Sequence, residues 1–431
     1  MALPIMLSLA AQNVVNVTDT AFLGRIGEVE LGASAIGGLV YIAIYMLGFG
    51  FATGAQILMA RRNGENQLKE LGSIANHTFA GLLVFAFFFL IIVLSFLDPF
   101  LNQFVKSDAI RAACSTFLQY RMWGIVFAFF NACFRSFYVS ITRTRALGYS
   151  SAIMAISNVI LDYGMIFGHW GFPAMGIAGA AIASVISEAI AFAFFIVYTN
   201  RTLDVSKFGL FKFRNLKFSV INSTLNLSVW VMIQNFLSLG GWLAFFMIVE
   251  KTGERNLAIS NIARSIYLVL MIPIWAFATT INSLVSNSIG AVGHSQVFGI
   301  IKKVLLLNTS LVALIAAIAV IFPEAILSIY TADALLIKAS IPTFYIICGV
   351  MIPFAVAITL FQATTGTGNT ITAMLIELIT IVLYLIYSWF FALQLHLPIH
   401  LVWTAEFFYF IVIGGLSYIY LKTGNWKNKV I

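Results

Sequence analysis

The sequence predicts an all-α integral membrane protein with twelve transmembrane helices. They form two six-helix lobes related by a pseudo-two-fold axis along the membrane normal. Three observations carry this expectation. The chain has 431 residues, 61% hydrophobic and only 9% charged, whereas a soluble domain carries about 25% charged residues. Apolar runs rich in Leu, Ile, Val and Phe return at intervals that each suit the ~20 residues of a membrane-crossing helix, not the short alternating segments of a barrel. Finally, the second half echoes the first.

Hydropathy and chain breakers place the spans at 2–24, 34–60, 74–97, 114–141, 149–169, 174–199, 219–249, 258–288, 300–329, 339–366, 369–394 and 397–421. One set of connections carries most of the Lys and Arg, among them Arg61, Arg62, Lys69, Arg143, Arg145 and the run from Arg201 to Lys217, and the tail adds Lys422, Lys427 and Lys429. The opposite set holds Arg25, Lys106, Arg111, Lys251, Arg255 and Lys338. The positive-inside rule then puts both termini in the cytoplasm of a multi-pass protein of the plasma (inner) membrane. The expected organisation is a first lobe at 1–199, a basic cytoplasmic linker at 200–218, a second lobe at 219–421 and a cytoplasmic tail at 422–431. The chain opens inside its first helix with neither a polar lead-in nor a basic signal-peptide region. Either a natural start upstream or a trimmed chain is expected.

The repeat is read from short matches. Gln12-Asn13 matches Gln234-Asn235 at an offset of 222, and Phe51-Ala52-Thr53 matches Phe277-Ala278-Thr279 at 226. The latter offset also pairs Leu31 with Leu257, Ser34 with Ser260 and Gly64 with Gly290. Six spans per half make both halves enter the membrane from the same side, which is a parallel repeat. Two such lobes suit alternating access. The charges are not repeated: Asp19 corresponds to Gly241 and Asp162 to about Tyr387. Ion coupling is therefore expected in the first lobe.

Asp19 is the one charged residue between Met1 and Gly24. A carboxylate at bilayer depth costs about 2.5–3.5 kcal/mol on insertion scales and marks a functional position by default. Asn158 and Asp162 are four apart and share one face of the fifth span. With Asp19 they offer oxygen ligands suited to a proton relay or to Na⁺, and the residues leave that choice open. Glu188, mid-span in the sixth helix, joins them as an ion-coupling candidate. Glu377 and Glu406 are candidates for a cavity that attracts cationic substrates, with Tyr41, Met46, Tyr163, Met271 and Trp275 as aromatic and thioether lining for flat apolar cations. Gln12, Asn13, Gln234 and Asn235 are expected to hydrogen-bond between helices, and Arg135 to snorkel toward the cytoplasmic surface. Cys114, Cys133 and Cys348 read as small apolar packing residues.

No phosphate loop, His-Glu-x-x-His helix or Gly-x-Ser-x-Gly elbow occurs, which argues against an enzyme and against ATP-driven pumping. An ion gradient supplies about 2.3 kcal/mol per charge per 100 mV, sufficient for secondary transport. No organic cofactor and no metal site are expected, with H⁺ or Na⁺ as coupling ion, the latter held by Asp19, Asn158 and Asp162. The expected partners are a small organic substrate and membrane lipid, not nucleic acid, and the expected state is a monomer.

Two motifs carry a resemblance. The first runs Thr18-Asp19-Thr20-Ala21-Phe22-Leu23-Gly24-Arg25-Ile26-Gly27, then Glu30-Leu31-Gly32-Ala33. The second runs Asn158-Val159-Ile160-Leu161-Asp162, then Ile166-Phe167-Gly168, Gly171, Pro173, Gly176 and Gly179-Ala180-Ala181. Together they resemble the multidrug and toxic compound extrusion (MATE) family, most closely its DNA-damage-inducible F (DinF)-like branch, over essentially the whole chain. The resemblance implies a twelve-helix antiporter exporting organic cations or other amphipathic compounds against H⁺ or Na⁺. It also implies a coupling role for Asp19 and places the family's Asn and Asp of the fifth helix at Asn158 and Asp162. The family's Gly-[Asp/Asn]-Thr-Arg-x-Pro element is degenerate here, reading Thr142-Arg143-Thr144-Arg145-Ala146-Leu147 and Gly368-Asn369-Thr370-Ile371-Thr372-Ala373. Where some members carry an acid in the seventh helix, this chain has Gln234. The alternatives are a lipid-linked precursor flippase of the same superfamily and a membrane-embedded lipid-modifying enzyme. The first calls for a cationic cavity and the second for a nucleophile or metal cluster.

Overall fold

The computed structural model describes residues 1–428, so Lys429 and the end of the expected tail at 422–431 lie outside the described residues. In chain order the helices are α1 (Ala2–Ile26), α2 (Glu28–Gly64), α3 (Leu68–Phe104), α4 (Asp108–Arg121), α5 (Gly124–Ser140), α6 (Arg145–Phe167), α7 (Gly176–Thr202) and α8 (Val205–Phe208). They continue with α9 (Phe218–Glu250), α10 (Glu254–Leu270), α11 (Ile272–Val292), α12 (Val297–Ile321), α13 (Pro323–Leu327), α14 (Ala334–Gly366), α15 (Thr370–Trp389), α16 (Ile399–Val402) and α17 (Ala405–Thr423). No strand occurs among the described residues.

Nine helical segments are long and apolar enough to cross a membrane, and the bent pairs α4–α5 and α10–α11 raise this to eleven among the described residues. The twelfth span is α1. Its 25 residues reach about 37 Å at 1.5 Å per residue, but Gln12, Asn13, Asn16 and Asp19 dilute its hydropathy. Several helices outrun their apolar stretch. The span expected at 34–60 is the 37-residue α2, about 55 Å long against ~30 Å of hydrocarbon. Its acidic start at Glu28 and Glu30 and its basic end at Arg61 and Arg62 extend it into polar surroundings, which suits the helix dipole.

Element order repeats as the sequence repeats: α1 recurs as α9, α2 as α10–α11, α3 as α12–α13, α4–α5 as α14, α6 as α15 and α7 as α16–α17. The breaks do not repeat. The α10–α11 pair bends by 46° beside Pro273, which lacks the N–H that would continue the helical ladder, whereas α2 runs unbroken. The α4–α5 pair bends by 51° between Arg121 and Gly124, whereas α14 runs through Pro342 and Pro353.

The chain separates into two compact units, and the division falls inside α9, after Met232. The basic segment at 200–218 lies wholly within the first unit. The cause is close packing of the start of α9 on α2. A Cβ at Gly50 would lie 2.8 Å from Met232 Cα, and one at Gly54 would lie 2.5 Å from Ser228 Cα. Gly50 and Gly54 are one turn apart, so they open a bare strip that lets two backbones approach. Ser228 Oγ donates to Phe51 O at 2.9 Å across it.

The connection from α7 to α9 is also tied down. Asn76 Nδ2 donates to Gly209 O at 2.8 Å while its Oδ1 accepts from Phe211 N at 2.8 Å. The buried His77 ring accepts from Lys217 N at 2.7 Å through Nε2, and its Nδ1 lies 2.6 Å from Ser73 O. Aromatic rings fill both interiors. Phe134 stacks on Phe195 at 5.1 Å in the first unit, and Phe354 stacks on Phe410 at 4.2 Å in the second. Cys114, Cys133 and Cys348 are buried and free.

Candidate functional site

The first unit gathers the charged candidates on four helices. Asp19 shares a face of α1 with the buried Val15 and Leu23, four residues to either side, and this face carries it inward. One turn apart on α6, Asn158 and Asp162 are almost completely buried, at 1% and 0% exposure. Asp19 and Asp162 interact electrostatically, and Asn158 interacts with Asp162. No donor from outside the trio meets these groups: Asp19 Oδ1, both Asp162 carboxylate oxygens, and the Asn158 Oδ1 and Nδ2 are buried without a hydrogen-bonded partner from the rest of the protein. An unsatisfied buried amide or hydroxyl costs about 1–3 kcal/mol by mutational measures, and an unpaired charge more. Three adjacent side chains in that state form a socket of oxygen atoms open to a proton or a hard cation.

Glu188 belongs to a second, satisfied cluster beside the first. Arg121 grips its carboxylate with two bonds, Nη2 to Oε1 at 2.6 Å and Nη1 to Oε2 at 2.9 Å. Tyr41 Oη donates to the same two oxygens at 3.1 and 3.2 Å, and the Arg121 guanidinium sits 3.6 Å above the Tyr41 ring. Asn131 Nδ2 donates to Glu188 O at 2.9 Å, fixing the backbone of α7 against α5. The α4–α5 bend makes this possible. Arg121 ends α4, and a Cβ at Gly124, the start of α5, would lie 2.4 Å from Arg121 Nη1 and 2.5 Å from Glu188 Oε2. The two clusters are in electrical contact, since Arg121 acts on both Asp19 and Asp162 and Glu188 acts on Asp19. Arg121 joins the candidates on this geometry, although span-counting does not single it out. The signal was present as opposite charges in separate apolar spans, a pairing expected in a membrane interior.

The remaining candidates scatter. Tyr163 neighbours Asp162 in sequence but joins an aromatic group at the end of α6, stacked on His169 at 4.4 Å and near Phe22 at 6.3 Å. Met46 is half-buried on α2, more than a turn beyond Tyr41. In the second unit, Met271 is half-buried at the α10–α11 bend and Trp275 is exposed. Glu377 accepts from Ser238 at 2.5 Å and Tyr409 at 2.7 Å, both through Oε1. Glu406 accepts from Tyr384 at 2.8 Å and Tyr267 at 3.1 Å, one per oxygen. Both are buried carboxyl groups enclosed by hydroxyls. Asn13 bonds its own helix at Leu9 O, 3.2 Å away, instead of a neighbour, because that carbonyl one turn back is within its reach. Gln234 Oε1 and Asn235 Nδ2 are buried without partners. Arg135 stays half-buried with its guanidinium 5.1 Å over the Phe49 ring, so a cation–π contact holds it inside instead of at the surface.

A family model, MatE, matches residues 4–164 and 231–390. The chain belongs to the MatE family. Its two matched segments fall in the two halves of the internal repeat. As a MatE protein it is an efflux-type membrane transporter and not an enzyme. Relatives include the probable multidrug resistance protein NorM of Thermotoga maritima, 27% identical over 388 residues, covering 88% of this chain and 82% of that protein. A protein of the same description from Synechocystis is 25% identical over 285 residues, 65% of this chain and 62% of that one. Solved MatE-type structures share the fold. An outward-facing multidrug resistance MATE transporter of the MOP superfamily superposes with a TM-score of 0.88 at 14% identity, over 98% of this chain and 94% of that one. A MOP superfamily transporter from Pyrococcus furiosus, described as having a binding pocket of reversed polarity, superposes at 0.86 and 16% identity, over 98% and 94%.

Proposed function

We propose that the protein is a secondary active antiporter that exports amphipathic or cationic organic compounds in exchange for H⁺ or Na⁺ by alternating access. The observation that carries the reading is the socket of Asp19, Asn158 and Asp162, whose buried oxygens face one another and find no partner in the rest of the protein. Such atoms are stabilised by a ligand that comes and goes. A proton neutralises a carboxylate, and Na⁺ is a hard cation that takes oxygen donors. The asymmetry of the two units supports the same assignment: the second unit has Gly241 where the first has Asp19, and its buried acids Glu377 and Glu406 already have hydroxyl donors. Export of compounds is supported by the multidrug resistance names of the relatives. The protein is read as a monomer in the plasma (inner) membrane with cytoplasmic termini, in contact with lipid and not with nucleic acid.

The test is dye efflux from proteoliposomes with H⁺ and Na⁺ gradients imposed separately, with the native protein and Asp19→Asn. Gradient-driven efflux should fall to background in Asp19→Asn. Efflux at the native rate in that variant refutes the coupling role, and the gradient that drives the native protein names the ion.

A further inference from the structure

We propose that Arg121 and Glu188 form a built-in charge pair that sets the affinity of the Asp19–Asn158–Asp162 socket for its driving cation. The inference rests on the reading that this socket binds that cation, and it assigns a positioning role to two residues outside it.

The geometry is that of a fixed charge. Two hydrogen bonds to Glu188 and the Tyr41 ring beneath it hold the guanidinium in one place. Arginine stays protonated inside proteins, so the charge is permanent as well as fixed. It acts on both socket carboxylates, and the balancing Glu188 charge acts on Asp19. The charged groups that act on Asp19 of α1 and Asp162 of α6 are each other, Arg121 on α4 and, for Asp19, Glu188 on α7; Tyr41 on α2 meets the Arg121–Glu188 pair, and Tyr45 on α2 interacts with Glu188 and with Arg135 of α5. Arg121 is the cation that acts on both Asp19 and Asp162. The guanidinium opposes the incoming cation, and Glu188 limits that opposition.

This gives the two halves of one ion pair opposite effects. Removing Arg121's charge leaves Glu188 unbalanced, and the socket binds its cation more tightly. Removing Glu188's charge leaves Arg121 unbalanced, and the socket binds less tightly. A bridge that only braced α4 against α7 would be broken alike by either change.

The experiment measures initial efflux of a cationic fluorescent dye from proteoliposomes against concentration of the driving cation. Arg121→Gln should lower the half-maximal cation concentration about tenfold, and Glu188→Gln should raise it about tenfold, the scale of a unit charge at partly buried separation. The double variant should return to within about threefold of the native protein, and Arg121→Lys should stay near it. Shifts in the same direction, or lower rates with unchanged half-maximal concentration, overturn the proposal. If Arg121→Gln does not fold, Glu188→Gln alone decides: an unshifted profile overturns it. Asp19→Asn in the same assay separates the two levels. Unimpaired coupled efflux in Asp19→Asn removes the underlying reading, whereas an inactive Asp19→Asn with unshifted charge variants removes only the inference.

Discussion

At the scale of single residues, the buried acids fall into two kinds, and they should respond oppositely to substitution. Asp162 is fully buried and its oxygens have no partner. Asp162→Asn removes a buried acid that takes no hydrogen bond from outside the trio, at nearly constant shape, so the melting temperature in detergent should hold or rise while coupled transport falls. A lower melting temperature would show that Asp162 is a structural residue. Glu406 is the reverse case, because it accepts the Tyr267 and Tyr384 hydroxyls. Glu406→Leu strands both at about 1–3 kcal/mol each and should lower the melting temperature clearly, whereas Glu406→Gln keeps an acceptor and should lower it less. Equal losses from the two substitutions would contradict this account. The first kind was legible in the sequence, because an acid in an apolar span and an Asn–Asp pair one turn apart need no tertiary knowledge. The second was only half legible, since nothing local to Glu377 or Glu406 announces the tyrosines that close over them from other helices.

At the scale of elements, the spans and their repeat were readable because bilayer thickness and helical rise fix the length of an apolar run. The bends and close approaches were not. The 51° break at Arg121–Gly124 has no proline to announce it, and the Arg121–Glu188 pair joins residues 67 apart in sequence. The strip formed by Gly50 and Gly54 went unread in the sequence, and its occupant, the beginning of α9, follows from packing alone. It moves the boundary between the units from the basic segment at 200–218 to Met232. Gly54→Val should therefore wedge α2 from α9, at about 1–3 kcal/mol for overpacking, seen as a lower melting temperature. Ser228→Ala removes only the bond to Phe51 O and should cost less. A neutral Gly54→Val would mean that the contact is loose.

At the scale of the whole molecule, the Lys and Arg distribution fixes the expected orientation. The three native cysteines are buried, so single cysteines introduced at exposed positions can be labelled over a quiet background. Those replacing Lys106 or Lys251 should react with an impermeant reagent in intact cells. Those replacing Lys207 or Arg214 should react only after permeabilisation, and the reverse pattern would invert the topology. The chain that leads from one half of the repeat to the other passes His77, and that contact has a chemical condition attached. The Lys217 amide can only give a hydrogen, so Nε2 of the ring must present a bare lone pair, and the proton must sit on Nδ1, facing Ser73 O. A doubly protonated ring has no lone pair to present. The crossing segment is thus fastened by a clasp that only a neutral imidazole can hold shut.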